Sequence, residues 1–332
     1  MIRILPLFDA FYYSFYIEGL RQTFGTQNLR YDTRGEWPLI PHSLCFEVEG
    51  KRVYISAEDS ASFNSDALQW CDVYAKVNID PNVQPENHRE KILPIGPSFG
   101  VKNYELSKTL IHMMQTTAMI RFAYGDRRKR FGKYWPREHV ANHWRQYKHR
   151  LPLSIYHPAP SERDYVFFVG SVWKREAQTN EYRAQFMDVC RTTPGLRFEG
   201  GFPPRKDHYQ PYEHLLMSQR VPFTEYLQKT KRSALVFNTP AVHGCLGWKL
   251  GEYLALGKAI ISTEIGRILP APFVHGENIH FVDGSEQLIR DAVNRITSDD
   301  AYRAKLEKGA REYYETYLAP ARVIERILQA LK

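Results

Sequence analysis

Residues 234–263 read ALVFNTPAVHGCLGWKLGEYLALGKAIIST. The apolar run that ends at Asn238 suits a buried strand. A loop of small residues follows, and then a helix carrying Lys249 and Glu252. Gly257 turns the chain into a second apolar run beginning at Lys258. A strand, a helix and a second strand at this spacing make the βαβ unit of a parallel sheet. A helix N-terminus presents free N–H groups and a partial positive charge, so Gly244 to Gly247 form a loop able to cradle phosphate. Lys249 adds a cation one turn in, and Glu252 is an acceptor suited to ribose hydroxyls. The same residues also suit a solvated helix face between ordinary α/β turns.

The alternation continues on both sides. DYVFFVGS (164–171) is a strand ending in a glycine loop, NEYRAQFMDVCR (180–191) a helix and GLRFEGG (195–201) a strand. FTEYLQKTK (223–231) is a short helix, ENIHFVD (277–283) a last strand, and residues 285–297 and 300–318 are helical. This predicts a doubly wound α/β domain, whose ligands belong outside the carboxyl ends of its strands. The residues at those ends are Gly170-Ser171, Gly200-Gly201, Asn238-Thr239 and Thr263-Glu264.

The first half reads as a second α/β domain. IRILPLF (2–8) is a short strand, and LCFEVEGKRVYIS (44–56) two strands around the turn Glu49-Gly50. Ser107–Ala123 suits a buried helix with Leu110, Ile111, Met114, Met119 and Ile120 inside. LPLSIYHPAPSERD (151–164) holds three prolines and is the linker. The expected division is 1–155, 156–317 and a C-terminal helix, 318–332, packing back on the first domain.

The chain's 332 residues carry 45 Lys plus Arg against 37 Asp plus Glu, and 43% of residues are hydrophobic. That composition excludes wholesale disorder. The surplus charge is local: residues 127–150 hold nine Lys or Arg and one acid, Glu138, so the rest of the chain is neutral. Phe131, Tyr134, Trp135, Trp144 and Tyr147 interleave with these cations. A solvated helix pair, an anionic membrane surface or lipid-diphosphate acceptor, and nucleic acid all suit such a stretch, the last without a motif behind it. Four scattered cysteines without a C-x-x-C pair read as reduced thiols, and no run of 18 apolar residues exists. The expected location is cytoplasmic, peripheral to the inner face of a membrane if the cations bind it.

The segment Glu252–Ile261 resembles the nucleotide-sugar domain of GT-B glycosyltransferases, whose pattern is a glycine loop followed by E-A-x-A-x-G-x-P-V-I. The variant is similar to the family 1-like and exostosin-like groups, in which a basic residue, here Lys249, precedes the Glu. The resemblance covers residues 162–317. Two positions depart from it. Gly244 stands where retaining relatives carry a first Glu, and Ala259 replaces the usual Pro.

The resemblance implies two Rossmann-like domains facing a cleft, with the donor bound by the second and the acceptor by the first. Glu252 would hold the ribose and Lys249 the diphosphate. Gly170 and Ser171 would line the phosphate loop, with Lys174 or Arg175 as a further cation and Asn238, Thr239 and Gly244 beside them. Asp9 or Asp59, each after a strand of the first domain, would deprotonate the acceptor; each also suits a cap or turn. His243 would contact sugar or phosphate, or be a loop histidine without a role. No D-x-D follows a strand, so the expected enzyme is metal-independent and without a cofactor beyond its sugar-nucleotide donor. It would glycosylate a glycan or glycolipid, as in polysaccharide synthesis. A sugar-nucleotide epimerase and a non-catalytic lipid- or nucleic-acid-binding protein are the alternatives.

Overall fold

Glu49 and Gly50 both take positive φ, 52° and 78°, the pair of values a type I′ hairpin turn needs. They join β3 (Leu44–Val48) to β4 (Lys51–Ser56) in antiparallel register, with Leu44 opposite Ile55. The computed structural model describes residues 1–125, 136–207, 209 and 211–332. It holds two units. The first is Met1–Ile155 with Arg267–Pro270 and Tyr317–Lys332, and the second is Tyr156–Gly266 with Ala271–Thr316. The chain changes unit inside the proline-rich stretch 151–164.

In the first unit β1 (Ile2–Ile4), β2 (Leu29–Tyr31), β5 (Val73–Lys76) and β6 (Ile92–Pro94) complete a sheet of order β2-β1-β3-β4-β5-β6. The hairpin makes this sheet mixed, because β3 is antiparallel to both β1 and β4 while the outer pairs are parallel. Helices α1 (Ser14–Phe24), α2 (Ser65–Trp70), α3 (Leu106–Tyr124) and α4 (Arg137–His149) belong to this unit. Gly19 of α1 lies against the Pro320 carbonyl and Ile324 of the C-terminal helix, so a side chain at 19 would push the two helices apart.

α3 differs from expectation. Ile120 is buried, but Leu110, Ile111 and Met114 are exposed, and Thr109 and Thr116 take the inner face instead. The inner face meets polar partners, with Thr116 Oγ1 3.0 Å from His139 Nε2 of α4.

The second unit begins with β7 (Tyr165–Val169), α5 (Ala177–Thr192), β8 (Arg197–Gly201), α6 (Phe223–Arg232) and β9 (Val236–Asn238). Then come α7 (Trp248–Ala255), β10 (Ile260–Ser262), β11 (His280–Phe281), α8 (Glu286–Ser298) and α9 (Asp300–Tyr313). The chain closes with α10 (Pro320–Ala330), in the first unit. β7 pairs with β8, and β9, β10 and β11 pair in that order, all parallel. A parallel bridge from Phe202 to Leu216 extends the β8 edge. The two groups meet where the Ala234 N–H donates to the Tyr165 carbonyl at 2.7 Å. The buried Ser233 Oγ accepts from the Phe167 N–H at 2.9 Å and donates to the Leu235 carbonyl at 2.6 Å. The strand order is then Leu216-β8-β7-β9-β10-β11, the doubly wound 3-2-1-4-5-6, and it reverses direction between β7 and β9. The α/β class expected from the sequence is the class of both units.

The core of the second unit stacks Phe186 of α5 on Phe237 of β9, ring centroids 4.5 Å apart. α7 ends in a Schellman motif: Gly257 takes φ 58°, its N–H reaches the Leu254 carbonyl, and the Lys258 N–H the Tyr253 carbonyl. Among the described residues no helix is long and apolar enough to cross a membrane.

Ser233→Ala should leave the buried Phe167 N–H unpaired, at a cost of about 1–3 kcal/mol. A lowered thermal unfolding midpoint is the expected result, and an unchanged midpoint would show that the strand seam does not depend on this hydroxyl.

Candidate active site

At the carboxyl ends of β7 and β9, where the winding reverses, lies a cavity of about 170 Å³. Ser171 and Trp173 line it from the loop after β7, Asn238, Thr239 and Ala241 from the loop after β9, Arg183 from α5, and Gly247, Trp248 and Lys249 from the start of α7. Gly247 caps α7 without a side-chain hydrogen bond, and its carbonyl accepts from the Leu250 N–H at 3.1 Å.

Two cations border this cavity. Arg183 is buried; it donates to Thr239 Oγ1 at 2.9 Å, to the Ser171 carbonyl at 2.7 Å and to the Pro240 carbonyl at 3.4 Å. It thereby ties the loops after β7 and β9 together. Burial pulls its guanidinium down to about 10. Lys249 donates to the Val169 carbonyl and sits over the Phe168 and Tyr226 rings. Burial, reinforced by the Arg183 charge and opposed by Glu252, pulls its ammonium down to about 7. The acceptors of all these bonds are neutral oxygens. Two positive charges held this way, beside a helix N-terminus, favour a multiply charged anion.

Of the residues expected from the sequence, Ser171, Asn238, Thr239 and Lys249 line this cavity. Gly170 lies behind it, its N–H bonded to the Gly201 carbonyl at 3.2 Å and its Cα facing Arg183, where a side chain would crowd the guanidinium. Glu252 is buried one turn deeper in α7 and accepts from the Tyr226 hydroxyl at 3.2 Å. Lys174 pairs with Asp207 at 3.1 Å, away from the lining, and Arg175 is exposed. His243 and Gly244 form a short turn with φ 57° and 68°, and the His243 N–H is held by Glu176 at 2.9 Å. Neither borders the cavity.

Arg183 and Asn180 were not among the expected residues. Asn180 holds both the N–H and the carbonyl of Trp173, at 2.9 and 2.7 Å. Their signal in the sequence is polar residues at i, i+3 on the helix face that also carries Ala184 and Met187, an apolar stripe interrupted at its start.

In the first unit Asp9 and Asp59 border one cavity of about 350 Å³, together with Tyr12, Tyr13, His42 and Glu58. Asp9 is buried. Its Oδ1 accepts from the N–H groups of Phe11 and Tyr12 at 2.8 and 3.2 Å, the turn role that short-range chemistry favours. Its Oδ2 accepts from Asn142 Nδ2 at 2.6 Å and faces His42 Nδ1 at 3.8 Å. The facing Asp9 carboxylate raises the His42 imidazole above its ordinary value. The rim is fixed from below: Lys76 Nζ donates to the Ser60 carbonyl at 2.9 Å, Asn78 Nδ2 to the Glu58 carbonyl at 2.8 Å, and the Tyr13 hydroxyl accepts from the Ala57 N–H at 3.1 Å while donating to the His42 carbonyl. His42 lies 33 residues from Asp9 on a left-handed turn, φ 57°, and nothing local in the sequence singles it out. Of the basic segment, residues 127–135 lie outside the described residues.

No family model matches the chain, and no curated protein does. Solved structures do resemble it. The C-terminal domain of a glycosyl transferase group 1 family protein, LpcC, from Francisella tularensis aligns over 49% of this chain and 96% of that one, at 18% identity and TM-score 0.35. Anabaena HepE in complex with UDP and glucose aligns over 83% of this chain and 71% of that one, at 11% identity and TM-score 0.47. An alpha-glucosyltransferase (AGT) in complex with UDP aligns over 100% of both chains, at 10% identity and TM-score 0.46.

Anion binding favours the charged form of Lys249. Inorganic pyrophosphate should therefore lose up to roughly tenfold in affinity per pH unit above the lysine's value of about 7. Calorimetry between pH 7 and 9 checks this, with Lys249→Arg expected to flatten the dependence; a flat wild-type profile contradicts it. Asp9→Asn should lower the His42 titration midpoint in a proton NMR titration, and an unmoved midpoint would show that the pair does not interact.

Proposed function

We propose that the protein is a GT-B-type glycosyltransferase that moves a sugar from a nucleoside-diphosphate donor to a hydroxyl of a glycan or glycolipid. The observation that carries the reading is the pair Arg183 and Lys249, hydrogen-bonded to neutral oxygens at the strand-reversal point, beside the N-terminus of α7. The cavity's charged side chains, Arg183 and Lys249, are both cationic, and its aromatic walls, Trp173 and Trp248, give flat apolar surface for a base or sugar ring.

Breaking the bond between the anomeric carbon and the donor phosphate leaves negative charge on the diphosphate. Arg183, Lys249 and the N–H groups of α7 stand ready to receive that charge, so no metal ion is part of this proposal. Arg183 stays charged throughout. Lys249, with its ammonium near neutrality, also serves as a proton donor to the departing phosphate oxygen. Glu252 holds the ribose hydroxyls, sharing its carboxylate with Tyr226. On the acceptor side Asp9 and His42 form the proton-accepting pair, with Asp59 at the rim of the same cavity. The cytoplasmic setting and the membrane-borne acceptor expected from the sequence belong to this proposal as well.

A thermal-shift screen against UDP, GDP, CMP and dTDP tests the class and identifies the base together. Stabilisation by one nucleoside diphosphate is expected, lost in Arg183→Met and weakened about tenfold, or ~1.4 kcal/mol, in Glu252→Ala. No response to any nucleotide overturns the donor site. Epimerised donor formed without acceptor would make the protein an epimerase instead.

A further inference from the structure

Two helices of the first unit turn polar side chains toward the interior. α3 turns Thr109 and Thr116 inward with Ile120, while Leu106, Leu110, Ile111, Met114 and Phe122 stand 41%, 38%, 61%, 69% and 88% exposed. At 100° per residue these five positions spread over an arc of about 160°, the outer half of the helix opposite Thr109, Thr116 and Ile120, along about 24 Å at 1.5 Å per residue. α4 also turns polar side chains inward, and its outer face is mainly charged. It buries His139, Asn142, His143 and Gln146 and exposes Trp144 with Arg137, Arg145 and Lys148.

The inward polar groups are bonded. Thr116 reaches His139, Asn142 reaches Asp9, and Gln146 Nε2 donates to the Val101 carbonyl at 2.8 Å. The inward polar groups are therefore satisfied, and the apolar side chains of α3 are the ones left exposed. Charge decides what covers them. α3 and α4 together carry Lys108, Arg121, Arg137, Arg145 and Lys148 against one acid, Glu138. A second copy of this chain would bring the same positive charge against itself. An anionic bilayer offers acyl chains to the apolar side chains and phosphates to the cations.

We propose that α3 docks on the surface of an anionic membrane, its exposed apolar face at the acyl boundary and the cations of α3 and α4 on the headgroups. The inference stands apart from the donor-site reading, because it uses none of the second unit's residues.

The test is flotation of the full chain with vesicles of phosphatidylcholine alone and of phosphatidylcholine mixed with phosphatidylglycerol. Binding is expected to the mixed vesicles, weaker by roughly tenfold on neutral ones or in high salt. Ile111→Asp combined with Met114→Asp should abolish it while leaving the unfolding midpoint and the nucleotide response intact, since both side chains already face solvent. As a check that needs no loss of function, Met114→Cys carrying an environment-sensitive fluorophore should shift to the blue when mixed vesicles are added. No binding to mixed vesicles, unaltered binding by the double variant, or no spectral shift overturns the proposal. So does sedimentation showing a dimer that the double variant splits, which would make a second copy the occupant.

Discussion

The seam between β7 and β9 is the constraint on which the second unit depends. Strands wound outward in opposite directions from this line leave a gap at their carboxyl ends that no crossover helix fills. The seam itself is sparsely bonded by main chain, and Ser233 supplies the missing acceptor for Phe167. Because the strands are held side by side, the loops after them converge, and Arg183 can reach both Ser171 and Thr239 from one helix position. The cavity is thus a consequence of the winding, and its chemistry a consequence of which side chains end up around it.

Those side chains are held in an electrostatically uneven state. Burial makes the charged forms of both Arg183 and Lys249 less favourable, and the Arg183 charge lowers the Lys249 ammonium further while Arg183 itself stays charged. A buried cation without a carboxylate bonded to it is disfavoured unless a ligand repairs the deficit. In the proposed function the repair is a diphosphate, and the same imbalance that weakens the empty site would strengthen the occupied one. Burial also changes what Lys249 can do, since an ammonium poised near neutrality can hold or give a proton, whereas an exposed lysine only holds one.

In the first unit the hydrogen-bond demands of the interior reverse the usual distribution of residues. Asp9 serves the turn at Phe11 and Tyr12 and still offers Oδ2 to Asn142 and His42. Asn142 brings α4 with it, and His139 and His143 line up on the Thr116 hydroxyl of α3. Once the inner faces of both helices are committed to polar partners, their apolar residues have only the outside left. The exposed apolar side chains of α3 and the cavity at Asp9 are two results of one packing arrangement.

The sequence by itself determined the α/β class, the glycine-marked strand ends and four residues that line the cavity at the ends of β7 and β9, Ser171, Asn238, Thr239 and Lys249. Each rests on local rules: alternation of strand and helix, free N–H groups at a helix start, and a glycine where φ is positive, as at Gly257. The Glu49-Gly50 hairpin was legible for the same reason. Only the tertiary structure decided that Arg183 joins Lys249, that Lys174 turns away to Asp207, that His42 faces Asp9, and that α3 shows its leucines and methionines to the outside. These depend on contacts between residues far apart in the chain, and periodicity does not carry them. A helix pattern states which residues share a face; which face is buried depends on the partners it meets.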